Sequence, residues 1–169
     1  IKSGFIVPAR YENGNFMKYS NNNLNDIANA VSDYDVTITV PKAYEVTSDL
    51  FSENTVNNTS KIYKLVGKNR LDFSLDIEQD SNFHTYKKAD LEVVCNIRSN
   101  NIDDVRKALL INQMMDFVKE HIGPYPNGKL MVSQTDYDQN PFYGLNQLPS
   151  FLSPFQDDFL FEIKFLKTY

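Results

Sequence analysis

Between Asn101 and Pro124 the apolar residues form a helical stripe with a defined start and stop, and this limits what the flanking segments can be. Ile102, Val105, Leu109, Ile111, Met114, Met115, Val118 and Ile122 follow helical spacing. Asn101 is placed as the N-cap, with Asp103 and Asp104 in the first turn, where the helix dipole favours negative charge. Lys119 and His121 fall in the last turn, and Gly123-Pro124 stops the helix. A helix is therefore expected over 101–122. Its methionine pair reads as core filling, because unbranched thioethers fit irregular gaps.

Apolar runs flank this helix. Leu91 to Ile97 is nearly continuous, as in a strand buried on both faces, and Leu130-Met131-Val132 is a short strand. Strand, helix, strand marks an α/β unit. Upstream the period is two. Val36, Ile38 and Val40 alternate with Asp35, Thr37 and Thr39 until Pro41, which has no ladder donor. Tyr44 and Val46 begin a second strand that turns at Ser48-Asp49. Ile62 to Val66 and Leu71 to Ile77 are two more, joined by Gly67-Lys68-Asn69.

Residues 1–33 carry little pattern: Ile6-Val7-Pro8 reads as a short strand, and Leu24, Ile27, Ala28 and Val31 have helical spacing. Asn57 and Asn58 head two overlapping glycan-acceptor triplets, read as chance matches at a hairpin tip in an Asn-rich chain. The expected class is α+β. An antiparallel sheet or sandwich over 1–79 precedes an α/β portion over 80–169 that comprises strand, helix, strand, loop and C-terminal helix.

Composition narrows function mainly by exclusion. At 169 residues the chain holds one or two small domains, and 41% apolar with 23% charged residues is globular. A net charge of −5 with mixed signs argues against a nucleic-acid partner. Lys87-Lys88 reads as a solvated turn. No apolar run approaches the roughly 18 residues of a membrane span. The chain begins with Ile1 and ends inside an amphipathic helix at Tyr169, so it is expected to be a piece of a longer chain whose location stays open. Cys95, between apolar neighbours, reads as a buried inert thiol without a spacing-matched histidine.

No residue pattern selects a catalytic centre. Asp136-Tyr137-Asp138-Gln139-Asn140 opens like a calcium loop, but Pro141 and Gln147 stand where Gly and Glu are needed, so it reads as an acidic turn. His84 and His121 lack the converging partners of a zinc site. No nucleophile elbow, phosphate loop or dinucleotide fingerprint is present. No metal ligand is assigned.

The run Ile122-Gly123-Pro124-Tyr125-Pro126, then a strand, then Pro141-Phe142-Tyr143-Gly144-Leu145-Asn146-Gln147 resembles the aminopeptidase-N family of gluzincin zinc metallopeptidases. In that family a Gly-x-Tyr-Pro turn and a strand lead to a substrate-binding G-x-M-E-N motif and a helix with H-E-x-x-H. Ser32 to Pro41 and Tyr44 to Ser48 look like strands of the β domain that precedes the catalytic domain. The resemblance spans most of residues 32–169. It implies that the second part is the start of a thermolysin-like domain, that peptides or protein termini are the ligands, and that the parent is periplasmic, secreted or cell-surface.

The departures carry as much meaning. With Gly144 as the first motif glycine, Asn146 replaces the acidic residue that holds a substrate's amino group, exchanging a charge-assisted contact for a neutral one. Phe161-Glu162-Ile163-Lys164-Phe165 then has the register of H-E-x-x-H with both histidines replaced by phenylalanine. Glu162 would remain as the remnant of the general base, with no metal-bound water to activate. The resemblance thus implies a catalytically inactive, peptide-binding piece with no zinc of its own, in which Tyr143, Gly144, Asn146 and Gln147 contact substrate. Phe161 and Phe165 are equally an i, i+4 core pair. Two other readings stand beside this one. The parent is an active zinc aminopeptidase whose metal motif lies beyond Tyr169, or the chain is a non-enzymatic β-sandwich module that presents aromatic loops to protein or glycan.

Overall fold

The computed structural model describes residues 7–18, 28–98, 102–135, 161–162, 165–166 and 168–169. Mostly antiparallel strands and one full-length helix among these residues make the chain a β-rich α+β protein. It divides into two compact units, Ile1–Asp80 and Ser81–Tyr169.

The first unit contains β1 (Tyr11–Glu12), β2 (Asn15–Phe16), β3 (Ser32–Pro41), β4 (Glu45–Ser48), β5 (Phe51–Val56), β6 (Ser60–Arg70) and β7 (Leu75–Glu78). β1 and β2 form a hairpin around Asn13-Gly14, whose φ values of 50° and 83° suit a tight two-residue turn. β3, β6 and β5 make an antiparallel sheet in that order, and β4 pairs separately with β7. The alternation of β3 points Val36, Ile38 and Val40 inward and Asp35, Thr37 and Thr39 outward. Val40, Tyr63 and Leu65 share one core with Val46 of β4 and with Leu50 and Phe73 from the connections.

Sequence and structure part company most clearly at three places in this unit. β6 runs straight through Gly67-Lys68-Asn69, which reads as a turn. Gly67 is a close-approach glycine instead: a Cβ there would come within 2.5 Å of Leu50 Cδ2. Asn69 takes a left-handed φ of 54° beside a register shift opposite Ser32 and Tyr34, and donates its N–H to Asp33 Oδ1 at 3.0 Å. Second, the alternation over Leu71–Ile77 yields strand only from Leu75, and that strand pairs with β4. Ahead of it, Ser74 is held by side chains: its N–H donates to Asp49 Oδ1 at 2.7 Å and its carbonyl accepts from Ser48 Oγ at 2.7 Å. Third, residues 28–31 are not helical. Ala28 has φ 55° and Asn29 bridges Ala9, while its side-chain amide donates to Leu71 O.

Among the described residues of this unit, Arg70 and Asp49 form a buried charged pair. Arg70 is 6% exposed and Asp49 is 9% exposed, and the guanidinium Nη2 donates to Asp49 Oδ2. Burial pushes the Asp49 carboxyl above its ordinary range, while Arg70 and the Ser74 N–H pull it back.

The second unit contains β8 (His84–Lys88), β9 (Leu91–Cys95), α1 (Asp104–His121) and β10 (Lys129–Val132). β8 and β9 form an antiparallel hairpin, and α1 is the crossover that lets β10 lie parallel to β9. Lys87 and Lys88 belong to β8 rather than to a turn. Their ammonium groups pair with Glu92 at 2.8 Å and with Asp116 at 2.5 Å. The turn falls at Ala89-Asp90, where Ala89 has φ 51°. Val93, Cys95, Leu130 and Val132 lie on one face of this sheet and pack with Leu110, Ile111, Met114, Met115 and Val118 of α1.

α1 begins later than the cap reading places it. Asp103, in extended conformation at ψ 171°, accepts from the Arg106 N–H at 2.7 Å and is the N-cap. At the other end Gly123 takes φ 123° and its N–H donates to Val118 O at 2.8 Å, the expected glycine stop. Val105, Leu109 and Ile122, counted in the apolar stripe, are exposed, and the buried face includes Lys107 instead. Asp103→Ala is expected to lower the unfolding free energy of this unit by about 1 kcal/mol, measured by urea denaturation. No helix among the described residues is long and apolar enough to cross a membrane.

Candidate functional site

The residues expected from the resemblance to take the register of a metal-binding helix sit at the C-terminal end. Residues 161, 162, 165, 166 and 168 are helical, and the Tyr169 N–H donates to Phe165 O at 3.0 Å. Four-residue spacing puts Phe161 and Phe165 on one face of that turn. Their rings are 2% and 0% exposed and belong to the core shared by β9, β10 and α1. Glu162 is half-buried beside them. Phenyl rings offer no lone pair to a metal, and these two are enclosed in the core. Among the described residues no group of three or more His, Cys, Asp and Glu side chains converges as a ligand set.

Tyr169 closes this corner. Its hydroxyl donates to Gly123 O, the carbonyl just after α1, and its ring lies 5.2 Å from that of Tyr125 and 6.5 Å from that of Phe165. Burial raises the Tyr169 phenol above its usual value, with smaller contributions from Tyr125 and Asp90. The two tyrosines, with Leu91, Met115, Val118 and Pro124, line a recess of about 60 Å³. A cavity of about 150 Å³ is what accommodates a benzene-sized guest, so this recess admits only a few atoms.

At the carboxyl ends of the parallel strands, Asn96 Oδ1 accepts from the Gln134 N–H at 2.8 Å and Gln134 Oε1 accepts from the Arg98 N–H at 3.2 Å. This reciprocal clasp ties the chain after β9 to the chain after β10. Such strand ends are where open parallel sheets place ligands. Here the two side-chain amides satisfy backbone N–H groups. Tyr143, Gly144, Asn146 and Gln147, together with Phe142 and the acidic run Asp136–Asn140, lie outside the described residues.

The register of β8 and β9 places His84 directly opposite Cys95, an adjacency that spacing along the chain conceals. Folding the hairpin about Ala89-Asp90 would have found it, but Ala89 is not a residue that announces a turn. His84 is exposed whereas Cys95 is 1% exposed and packed in the α/β core, so the thiol is closed to substrate. His121 remains a helix-end residue: its ring stacks on Phe117 at 4.5 Å and its Nδ1 lies 3.0 Å from Phe117 O.

No protein-family model matches the chain, and no curated protein matches it. Among solved structures it is similar to a mutant of a two-domain M1 zinc metallopeptidase bound to L-arginine, with 15% identity and a TM-score of 0.41. That likeness covers 63% of this chain and 27% of the other, so the chain spans about a quarter of that protein's length. It is a distant similarity of backbone course, and no residue's role follows from it.

Proposed function

We propose that this chain is part of an aminopeptidase-like protein in which its two units serve as scaffold, with no catalytic zinc held by residues 161–165. The observation that carries the second half of this reading is the enclosure of Phe161 and Phe165 in the α/β core. Imidazoles that hold a catalytic metal keep an open position for water and substrate, whereas these positions are buried in the core. The order of the chain supports the lineage: a β-rich unit, then strand, helix, Gly-x-Tyr-Pro turn and parallel strand, as the sequence resemblance implies. Glu162 then has no metal-bound water to deprotonate.

Within this reading the thermolysin-like assignment of Ser81–Tyr169 and a peptide-binding role for the 135–153 loop go together. Tyr143 and Phe142 would supply apolar contacts, and Asn146 and Gln147 would bond extended peptide backbone. The decisive experiment is metal analysis of the purified chain together with turnover of aminoacyl substrates. The expected result is no stoichiometric zinc and no hydrolysis, while a peptide array gives binding that Tyr143→Ala abolishes. One zinc per chain, held by residues of this chain, would overturn the reading.

A non-enzymatic interaction module is favoured by one observation in the first unit. Tyr11 and Phe16 are 60% and 67% exposed at the β1–β2 hairpin, with rings 5.0 Å apart and 66° from parallel. Two large rings held outward on a tight turn are unusual unless something covers them. Loss of partner binding in Tyr11→Ser with Phe16→Ser, and its retention in Tyr143→Ala, would favour the module over the peptidase lineage.

A further inference from the structure

We infer that β5 is the seat of a second copy of this chain, joined edge to edge across a twofold axis at Asn54. β5 is the outermost strand of the sheet β3-β6-β5, and all six of its residues are exposed. Free sheet edges are normally guarded by proline, lysine, a bulge or extreme shortness. The opposite edge has such guards, since β3 carries Asp33, Asp35, a terminal Pro41 and the register shift at Ser32/Tyr34. β5 has no proline, lysine or bulge and a single charge, Glu53: Phe51-Ser52-Glu53-Asn54-Thr55-Val56 pairs with β6 in unbroken register from Phe51↔Val66 to Val56↔Lys61.

The hairpin fixes which backbone groups face outward. The Asn57 N–H donates to Ser60 O at 2.8 Å, so 57 and 60 are a hydrogen-bonded pair. Hydrogen-bonded and non-hydrogen-bonded pairs alternate in an antiparallel ladder. Phe51, Glu53 and Thr55 therefore turn their amides toward β6, and Ser52, Asn54 and Val56 turn theirs to the open edge. Asn54 is the middle of those three. An antiparallel second copy centred there bonds Asn54 to its own counterpart, and Ser52 to Val56 of the second copy in both directions, using every outward group.

Charge selects the same register. Glu53 is the only charged residue of the strand, and centring on Asn54 sets it against Thr55 of the second copy. Centring on residue 53 would oppose two carboxylates and set Val56 against Leu50 of the second copy, beyond the end of the strand. The product is an isologous dimer with a continuous sheet β3-β6-β5-β5-β6-β3. An edge of six residues is a small interface, so the dimer is weak and concentration-dependent.

The test is the mass of the 169-residue chain by light scattering and sedimentation, from about 10 μM to about 1 mM, bracketing a weak complex. A monomer-to-dimer shift is expected over that range. Asn54→Pro removes one outward N–H without touching the β5–β6 ladder, a substitution that edge strands tolerate. It should leave a folded monomer at every concentration. Asn54→Lys, which opposes two ammonium groups at the axis, should weaken association at least tenfold. Amide exchange at Ser52, Asn54 and Val56 should slow as concentration rises, while Glu53 and Thr55 stay protected throughout. A chain that remains monomeric at the highest concentration overturns the inference, as does a dimer that both Asn54 variants preserve.

Discussion

Arg70→Ala is expected to lower the stability of the Ile1–Asp80 unit by about 3–5 kcal/mol, because it strands a carboxylate that water does not reach. Asp49 is 9% exposed and its second oxygen is already occupied by the Ser74 N–H. The loss should depend on pH in a defined direction. Burial raises the folded-state pKa of Asp49 and Arg70 is the foremost influence holding it down. Removing Arg70 raises it further. An acid whose folded pKa exceeds its unfolded value favours the folded state below the unfolded pKa, and that contribution is lost as pH rises through the folded value. The destabilisation of Arg70→Ala should therefore be largest near neutrality and shrink toward the ordinary aspartate range. Adding Asp49→Asn should restore part of it at neutral pH, since an amide oxygen still accepts from Ser74 and carries no charge. Urea denaturation of the three chains at two pH values measures all of this. A cost below about 1 kcal/mol, or equal costs at both pH values, would show that the pair is screened by water.

That ion pair also shows how far the sequence is readable. Strand β3 is legible because Val36, Ile38 and Val40 face one core and the residues between them face water, so one-sided burial writes itself into a period of two. β5 leaves no such trace: it is exposed on both faces, and Phe51-Ser52-Glu53-Asn54-Thr55-Val56 has no apolar alternation to read. Gly67 and Asn69 look like turn residues in isolation, yet their local freedom serves a close approach to Leu50 and a bulge within β6. Asp49 and Arg70 lie 21 residues apart, and nothing local marks them as partners. In the second unit the α/β order, the Met114–Met115 core role and the Gly123 stop were legible because each rests on neighbours within a few residues. The His84–Cys95 juxtaposition was not, because it depends on a hairpin turn built from Ala89 and Asp90.

The C-terminal turn gives the second large effect. Phe161→His combined with Phe165→His writes H-E-x-x-H around Glu162 and is expected to destabilise the Ser81–Tyr169 unit by about 3 kcal/mol or more. Two imidazoles would replace rings that are 2% and 0% exposed, among Val93, Leu130, Val132 and the apolar face of α1. Each buried imidazole without a hydrogen-bond partner costs about 1–3 kcal/mol beyond the lost packing. Zinc is expected not to recover this loss. A tetrahedral centre needs a third protein ligand and an open position, and two nitrogens facing an aliphatic core satisfy neither condition. Calorimetric melting of the double variant with and without equimolar zinc reads the outcome, with Phe165→Leu as the milder packing control. Should zinc instead raise the melting temperature of the double variant with one ion bound, a third ligand would stand within reach. The enclosed-core account of Phe161 and Phe165 would then fail, while the aminopeptidase lineage itself would gain support.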